Sequence, residues 1–203
     1  MKLWIHSLVG LLGCLAVPVE AADRPNILFI YTDDQSTRTV SCYEEAHSWV
    51  NTPNIDALAA AGVRFEHAYI GSWCMTSRAS LLTGLQQHGI ESMRMEGQYP
   101  GSVYDPEQCR FWPSVFRKNG YTTAHIGKWH TGADDGFGRD WDYQIVWNRP
   151  KYVDNSPYYY DNQLIVKNGG KPKMTKGYTT DNYTDWAVDY ISGEGREEGK
   201  PWY

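Results

Sequence analysis

Three short stretches of the 203-residue chain carry residues that could do chemistry together: Asp33 with Asp34, Cys74 with Arg78, and Lys128 with His130. Adjacent carboxylates suit a hard cation such as calcium or magnesium, which takes oxygen ligands. Alone, the same pair reads as a turn with helix-capping acids. Arg78 and Lys128 are cations able to hold a tetrahedral anion, the first through a planar fork and the second as a point charge. Amides near Thr76 to Ala79 would assist, because the first turn of a helix leaves its donors unpaired. His130 can move a proton near neutral pH. Taken singly, each residue has an ordinary reading as a surface ion pair or a polar turn residue. Function is argued only if the fold brings them to one place.

The elements between them give that argument. Arg24 to Tyr31 is an apolar, β-branched run that predicts a strand buried on both faces. It ends in Thr32-Asp33-Asp34, at the carboxyl edge where open α/β sheets bind ligands. Thr52 and Pro53 open a helix whose inner face is Ile55, Leu58 and Ala59 and whose stop is Gly62. Val63 to Ile70 alternates as a second strand and delivers the chain to Cys74. Ser77 to Leu85 reads as a helix with Leu81, Leu82 and Leu85 on one side. Phe111 to Lys118 reads as another, closed by Asn119-Gly120. Tyr121 to Ile126 predicts a third strand leading into Gly127-Lys-Trp-His130. Residues 131–180, rich in Asp, Gly, Tyr, Trp and Asn, predict long loops over the site. Asp181 to Ile191 predicts a helix with Trp186, Val188 and Ile191 inward. Strands alternating with helices indicate an α/β fold.

The motifs and their order resemble the type I, formylglycine-dependent sulfatases of the alkaline phosphatase superfamily. They are Asp33-Asp34, Thr52-Pro-Asn-Ile-Asp-Ala-Leu58, Cys74-Met-Thr-Ser-Arg-Ala-Ser-Leu-Leu-Thr-Gly84 and Gly120-Tyr-Thr-Thr-Ala-His-Ile-Gly-Lys-Trp-His130. The resemblance runs from about Arg24 through His130 and more loosely to Lys200-Pro-Trp-Tyr203. It implies a mostly parallel central sheet sandwiched by helices, incomplete in this chain. It implies hydrolysis of sulfate esters, on a sulfated small molecule or carbohydrate. In that family the cysteine, here Cys74, is converted by a maturase to formylglycine, whose hydrated aldehyde attacks sulfur and later expels sulfate by elimination. The resemblance assigns Asp33, Asp34 and the modified Cys74 to one calcium ion. It gives Arg78 the orienting of the hydrated aldehyde, Lys128 the binding of sulfate, and His130 the base of the elimination. The sequence departs from the family at Thr76, where Pro or Ala is usual. The family's later metal pair, later His and later Lys do not follow either, so the chain reads as an N-terminal part of a longer enzyme, inactive alone. Two rivals stay open. A phosphatase or phosphonate hydrolase of the same superfamily would use Thr76. A non-catalytic carbohydrate-binding relative would hold sugar on the aromatic residues around Trp141, Trp147 and Tyr158 to Tyr160.

Bulk properties narrow the setting. Net charge is −5 with signs mixed along the chain, which argues against a nucleic-acid partner. The chain holds 9 Trp and 15 Tyr, more suited to a core and its rim than to a solvent face, although rings can also stack on sugars. Residues 1–22 have the form of a secretory signal: Lys2, an apolar run from Leu8 to Val17 and small residues at Ala21 and Ala22. Residues 23–203 then form the catalytic-domain part, exported to the periplasm or the medium, with no membrane attachment after cleavage. A lipoprotein signal at Leu11-Leu-Gly-Cys14 is the rival. Removal of the signal leaves Cys42, Cys74 and Cys109. Cys42 and Cys109 could pair in an oxidising compartment, with Cys74 as the odd thiol. Edman sequencing of the exported protein is expected to start at residue 22 or 23, and a lipid-bearing start at Cys14 would replace this reading.

Overall fold

The computed structural model describes residues 24–71, 73–90, 110–152, 155 and 160–203. The signal segment, Cys14, Cys109 with its pairing to Cys42, and Tyr158 and Tyr159 lie outside the described residues. A four-stranded mixed sheet forms the centre, in the order β1 (Ala124–Trp129), β2 (Tyr143–Asn148), β3 (Gln163–Lys167) and β4 (Lys173–Thr175). β1 and β2 are parallel, with Lys128 opposite Trp147 and Trp129 opposite Asn148. The next two pairings are antiparallel. On the other side of β1 the parallel pattern extends past the named strands. Thr122 donates to Pro201, Tyr203 donates to Thr122 and Ala124 donates to Tyr203, at 2.9, 2.9 and 2.7 Å. Beyond that, Ile27 donates to Trp202 at 2.8 Å. The Lys200-Pro-Trp-Tyr203 run therefore lies alongside β1, in extended register with it.

Among the described residues the α-helices are α1 (Pro53–Ala61), α2 (Cys74–Thr83), α3 (Pro113–Lys118) and α4 (Thr179–Ser192). Strand residues alternate between faces, so β2 divides its side chains between two cores. Val146 joins Trp129, Trp141, Val166 and Phe111 beneath Ala79 and Leu82 of α2. Tyr143, Ile145 and Trp147 join Ile165, Trp202 and Tyr190 of α4, with Tyr183 and Trp186 packed beside them. All six residues of β2 are buried. Its polar members donate to nearby loops: Gln144 Nε2 to the Asp135 carbonyl at 2.7 Å, and Asn148 Nδ2 to the Ala133 carbonyl at 2.9 Å.

Several sequence expectations are corrected here. Arg24 to Tyr31 is extended but not a strand, and Leu28, Phe29 and Ile30 are 56, 49 and 72% exposed. It is tied to Trp202 by the Ile27 amide and by the Asn26 side chain, which accepts from the Trp202 amide at 3.1 Å, while Leu28, Phe29 and Ile30 stay exposed. Val63 to Ile70 is likewise not a strand; Val63, Phe65 and Ile70 are all exposed. On α1 the expected inner face is also open, with Leu58 exposed. The helix beginning expected at Ser77 lies at Cys74, and Leu85 falls beyond the Gly84 cap. The third strand runs Ala124–Trp129, a few residues later than expected: Thr123 is bonded to Asp140 and Asp142, and Thr122 makes only an isolated bridge to Trp202. Residues 131–180 hold β2, β3 and β4 and are not merely loops. On α4, Tyr190 and Thr179 are buried and Val188 and Ile191 are exposed.

His125 is half-buried between Trp129 and Trp141, with ring centroids 5.4 and 5.1 Å away. Burial, with the Arg78 charge adding to it, lowers its pKa to about 3. The folded protein thus keeps this ring neutral where the unfolded chain would protonate it below about pH 6.5. Its contribution to stability is complete above that pH and is lost as pH falls towards 3. Between pH 7.5 and pH 5, urea unfolding of His125→Phe is expected to lose about 2 kcal/mol less stability than the unsubstituted protein. Equal losses would show that His125 is not held neutral.

Candidate active site

Helix α2 begins the site. Trp73 is extended (φ −145°, ψ 158°), and its carbonyl accepts the first helical bond from Ser77 at 2.8 Å. Cys74 therefore occupies the first helical position, among amides that have no intrahelical partner. The approach is tight: Ser77 Oγ donates to the Gly71 carbonyl at 2.5 Å. A Cβ on Gly71 would come within 2.8 Å of the Ser77 nitrogen, so only glycine fits. Met75, Ala79 and Leu82 anchor the helix in the core. Arg78 follows Cys74 by four residues, one turn along the same side.

Arg78 and Lys128 knit the helix to the sheet. One Arg78 terminal nitrogen donates to the Lys128 carbonyl at 2.9 Å, and the other lies 3.5 Å from Asp33 Oδ2. The guanidinium also sits 5.2 Å from the centre of the Tyr31 ring. Lys128 Nζ donates to the same Asp33 oxygen at 2.5 Å and lies 5.9 Å from the Trp147 ring. His130 follows β1 directly, is fully buried, and places Nδ1 3.2 Å from Cys74 Sγ. The structure thus brings together five of the six residues expected from sequence. Asp34 stands exposed with a left-handed backbone (φ 60°), a conformation that Asp tolerates better than most residues. Among the described residues no hydrogen bond or ion pair joins Asp34 to the other five.

The charges are coupled. Burial raises the Asp33 pKa, but the Lys128 hydrogen bond and charge, with Arg78 and His130, outweigh it, and the net shift is downward. Burial takes the His130 pKa down to about 3, helped by Lys128, Arg149 and Arg78 and opposed by Asp33. The imidazole is therefore neutral at physiological pH. Arg78 Nε is buried with no hydrogen-bond partner among the described residues. That leaves a donor beside Cys74, which suits an oxygen-bearing side chain at position 74 better than a thiol. Asp33 and Asp34 have the donor chemistry for calcium, but two carboxylates fit only a share of its usual shell of roughly 6–8 oxygens. Among the described residues no group of three or more His, Cys, Asp and Glu could hold an ion.

Sequence reasoning missed Tyr31 and Arg149, and expected Trp147 in a sugar-holding loop and not beside Lys128. Tyr31 and Trp147 hide inside apolar runs, and Arg149 lies in a stretch with no motif. The β1–β2 pairing is what brings Trp147 and Arg149 to the site.

The sulfatase family profile matches residues 25–203. The chain belongs to the sulfatase family. This sulfatase is 34% identical to an N-acetylglucosamine-6-O-sulfatase of Bacteroides thetaiotaomicron over 195 residues, covering 95% of the chain and 32% of that relative. It is 40% identical to human arylsulfatase A over 132 residues, covering 61% of the chain and 24% of the relative. A solved structure bound to its substrate D-glucosamine-2-N,6-O-disulfate superimposes with a TM-score of 0.72 at 32% identity, over 88% of this chain and 33% of that one. The chain thus spans about a third of the length of the first of these relatives. Its α/β fold with a mixed sheet is the alkaline phosphatase-like fold of the sulfatases.

Arg78 serves a carbonyl, a carboxylate and a ring at once, and lysine cannot reproduce its fork. In the native full-length sulfatase, Arg78→Met is expected to cost roughly 1–3 kcal/mol in urea unfolding, since the Lys128 carbonyl loses its donor. Arg78→Lys should recover less than half of that. No change in either variant would show that the clamp does not support the fold.

Proposed function

We propose that this sulfatase hydrolyses sulfate esters on a carbohydrate, with Cys74 as the precursor of its nucleophile. The contact between Cys74 Sγ and His130 Nδ1, at 3.2 Å, is the observation that carries the reading. Maturation of Cys74 to formylglycine by a maturase would supply a nucleophilic oxygen, and Sγ stands in for it in the geometry above. Calcium held by Asp33 and Asp34, with the matured side chain, would supply positive charge to the sulfate ester.

The remaining steps fall to residues of the chain. Neutral His130, in the tautomer that keeps its proton on Nε2, can accept a proton at Nδ1 from the group at position 74, which is within hydrogen-bond reach. A bound sulfate would counter the cations around the ring and raise its proton affinity when the base is needed. Arg78 would orient the matured side chain through its unpaired Nε. Lys128, whose side chain is only 8% exposed, would hold a sulfate oxygen as charge develops there. The sulfated-glucosamine substrate of the superimposed structure and the amino-sugar sulfatase relative support a sulfated amino sugar as the substrate class.

Both rivals lose support. Thr76 Oγ1 donates to the Trp73 carbonyl at 3.1 Å, which ties it to its own helix start and not to the site. Trp141 and Trp147 are each only 1% exposed, so neither can stack on a sugar. Export to the periplasm or medium remains part of the proposal. Among the described residues no helix is long and apolar enough to cross a membrane.

Native-host full-length protein is expected to label with a hydrazide probe at the Cys74 peptide and to hydrolyse an aryl sulfate well above the matching aryl phosphate. Cys74→Ala should lose both labelling and turnover by at least about 100-fold, the scale of removing a nucleophile's contribution. Turnover by protein whose Cys74 peptide has the mass of an intact thiol would sink the proposal.

A further inference from the structure

We infer that Arg149 is a specificity-determining residue, receiving a second sulfo group on a substrate whose first sulfate is presented to Cys74. The inference rests on the sulfatase reading above and extends it to substrate choice.

The argument begins with the ladder. β1 and β2 run parallel, and Trp129 pairs with Asn148 at their carboxyl ends. The ladder continues one step further, because the Arg149 amide donates to the Trp129 carbonyl at 3.3 Å. Arg149 therefore neighbours His130 at the edge where Cys74 stands, about 4.8 Å away across the sheet by strand spacing. Arg149 is half-buried at this edge.

The two flanks of β1 carry different chemistry. Asp33 and Asp34 arrive from the side of the 201–203 segment, through the chain that bonds Ile27 to Trp202. Asp33 is the carboxylate that engages both Lys128 and Arg78. Arg149 arrives from the opposite flank, on β2. A sugar whose reacting sulfate sits in front of β1 would extend part of its ring over β2. An arginine fork there matches a sulfo group by shape and charge.

The backbone under Arg149 is also fixed. Asn148 is fully buried; its side chain accepts from Lys151 at 3.2 Å and donates to Ala133, and its carbonyl accepts from Tyr152 at 3.0 Å. Pro150 restricts the next step of the turn. A side chain carried on such a turn is pre-organised for recognition.

The test uses the native full-length enzyme with glucosamine 6-O-sulfate and glucosamine-2-N,6-O-disulfate. Arg149→Gln is expected to lower kcat/KM on the disulfate at least tenfold more than on the monosulfate, mainly through KM. Arg149→Lys, which keeps the charge and loses the fork, should fall between and guards against a folding defect in the first variant. Equal losses on the two substrates, or no loss on either, would overturn the assignment while leaving the sulfatase reading intact. An unsubstituted enzyme that turns over an aryl sulfate but neither glucosamine sulfate would overturn the assignment and the amino-sugar class while leaving the sulfatase reading intact.

Discussion

One carboxylate oxygen organises the site. Asp33 Oδ2 meets Lys128 from β1 and Arg78 from α2, cations whose side chains are only 8% and 11% exposed. Charges so far from water need a partner, and removing that partner costs more than the pair contributes, because it strands the charge that remains. The position of α2 against β1 is tied to this balance. So is the distance between Cys74 at the helix start and His130 at the strand end. A defect at Asp33 would therefore be felt as displacement of the reacting pair as well as loss of a ligand.

The same balance sets the state of the histidine. Positive neighbours and burial together keep His130 unprotonated, while Asp33 pulls weakly the other way. An anion entering the site would shift this balance towards the protonated ring. Base strength and ligand binding are in that sense one electrostatic quantity, shared among Lys128, Arg149 and Arg78.

The sequence announced this site better than the frame around it. Asp33, Cys74, Arg78, Lys128 and His130 were visible because each stands in a dense motif whose spacing is fixed by local geometry: one helical turn, or two residues at the end of a strand. Strand β2 was not visible. Tyr143-Gln-Ile-Val-Trp-Asn148 mixes amides with rings, and its burial depends on partners that single-sequence pattern does not reveal: the Asp135 and Ala133 carbonyls for Gln144 and Asn148. Arg149 was missed for the same reason, since its place follows from strand pairing. The opposite error occurred at Leu28 to Ile30, where an apolar run promised a buried strand. Apolarity measures the gain available from cover, whereas burial needs an element that supplies it.

The two borders of the sheet are unlike. At one border β4 carries Lys173, with Lys171 and Pro172 just before it and Lys176 just after. Positive charge and a residue without an amide hydrogen discourage further pairing there. At the other border, beyond residues 201–203, the Leu28 to Ile30 run is extended, apolar and exposed. The sheet's two sides thus differ in chemistry: the β4 side is ringed by lysines, and the side that carries Asp33 is apolar.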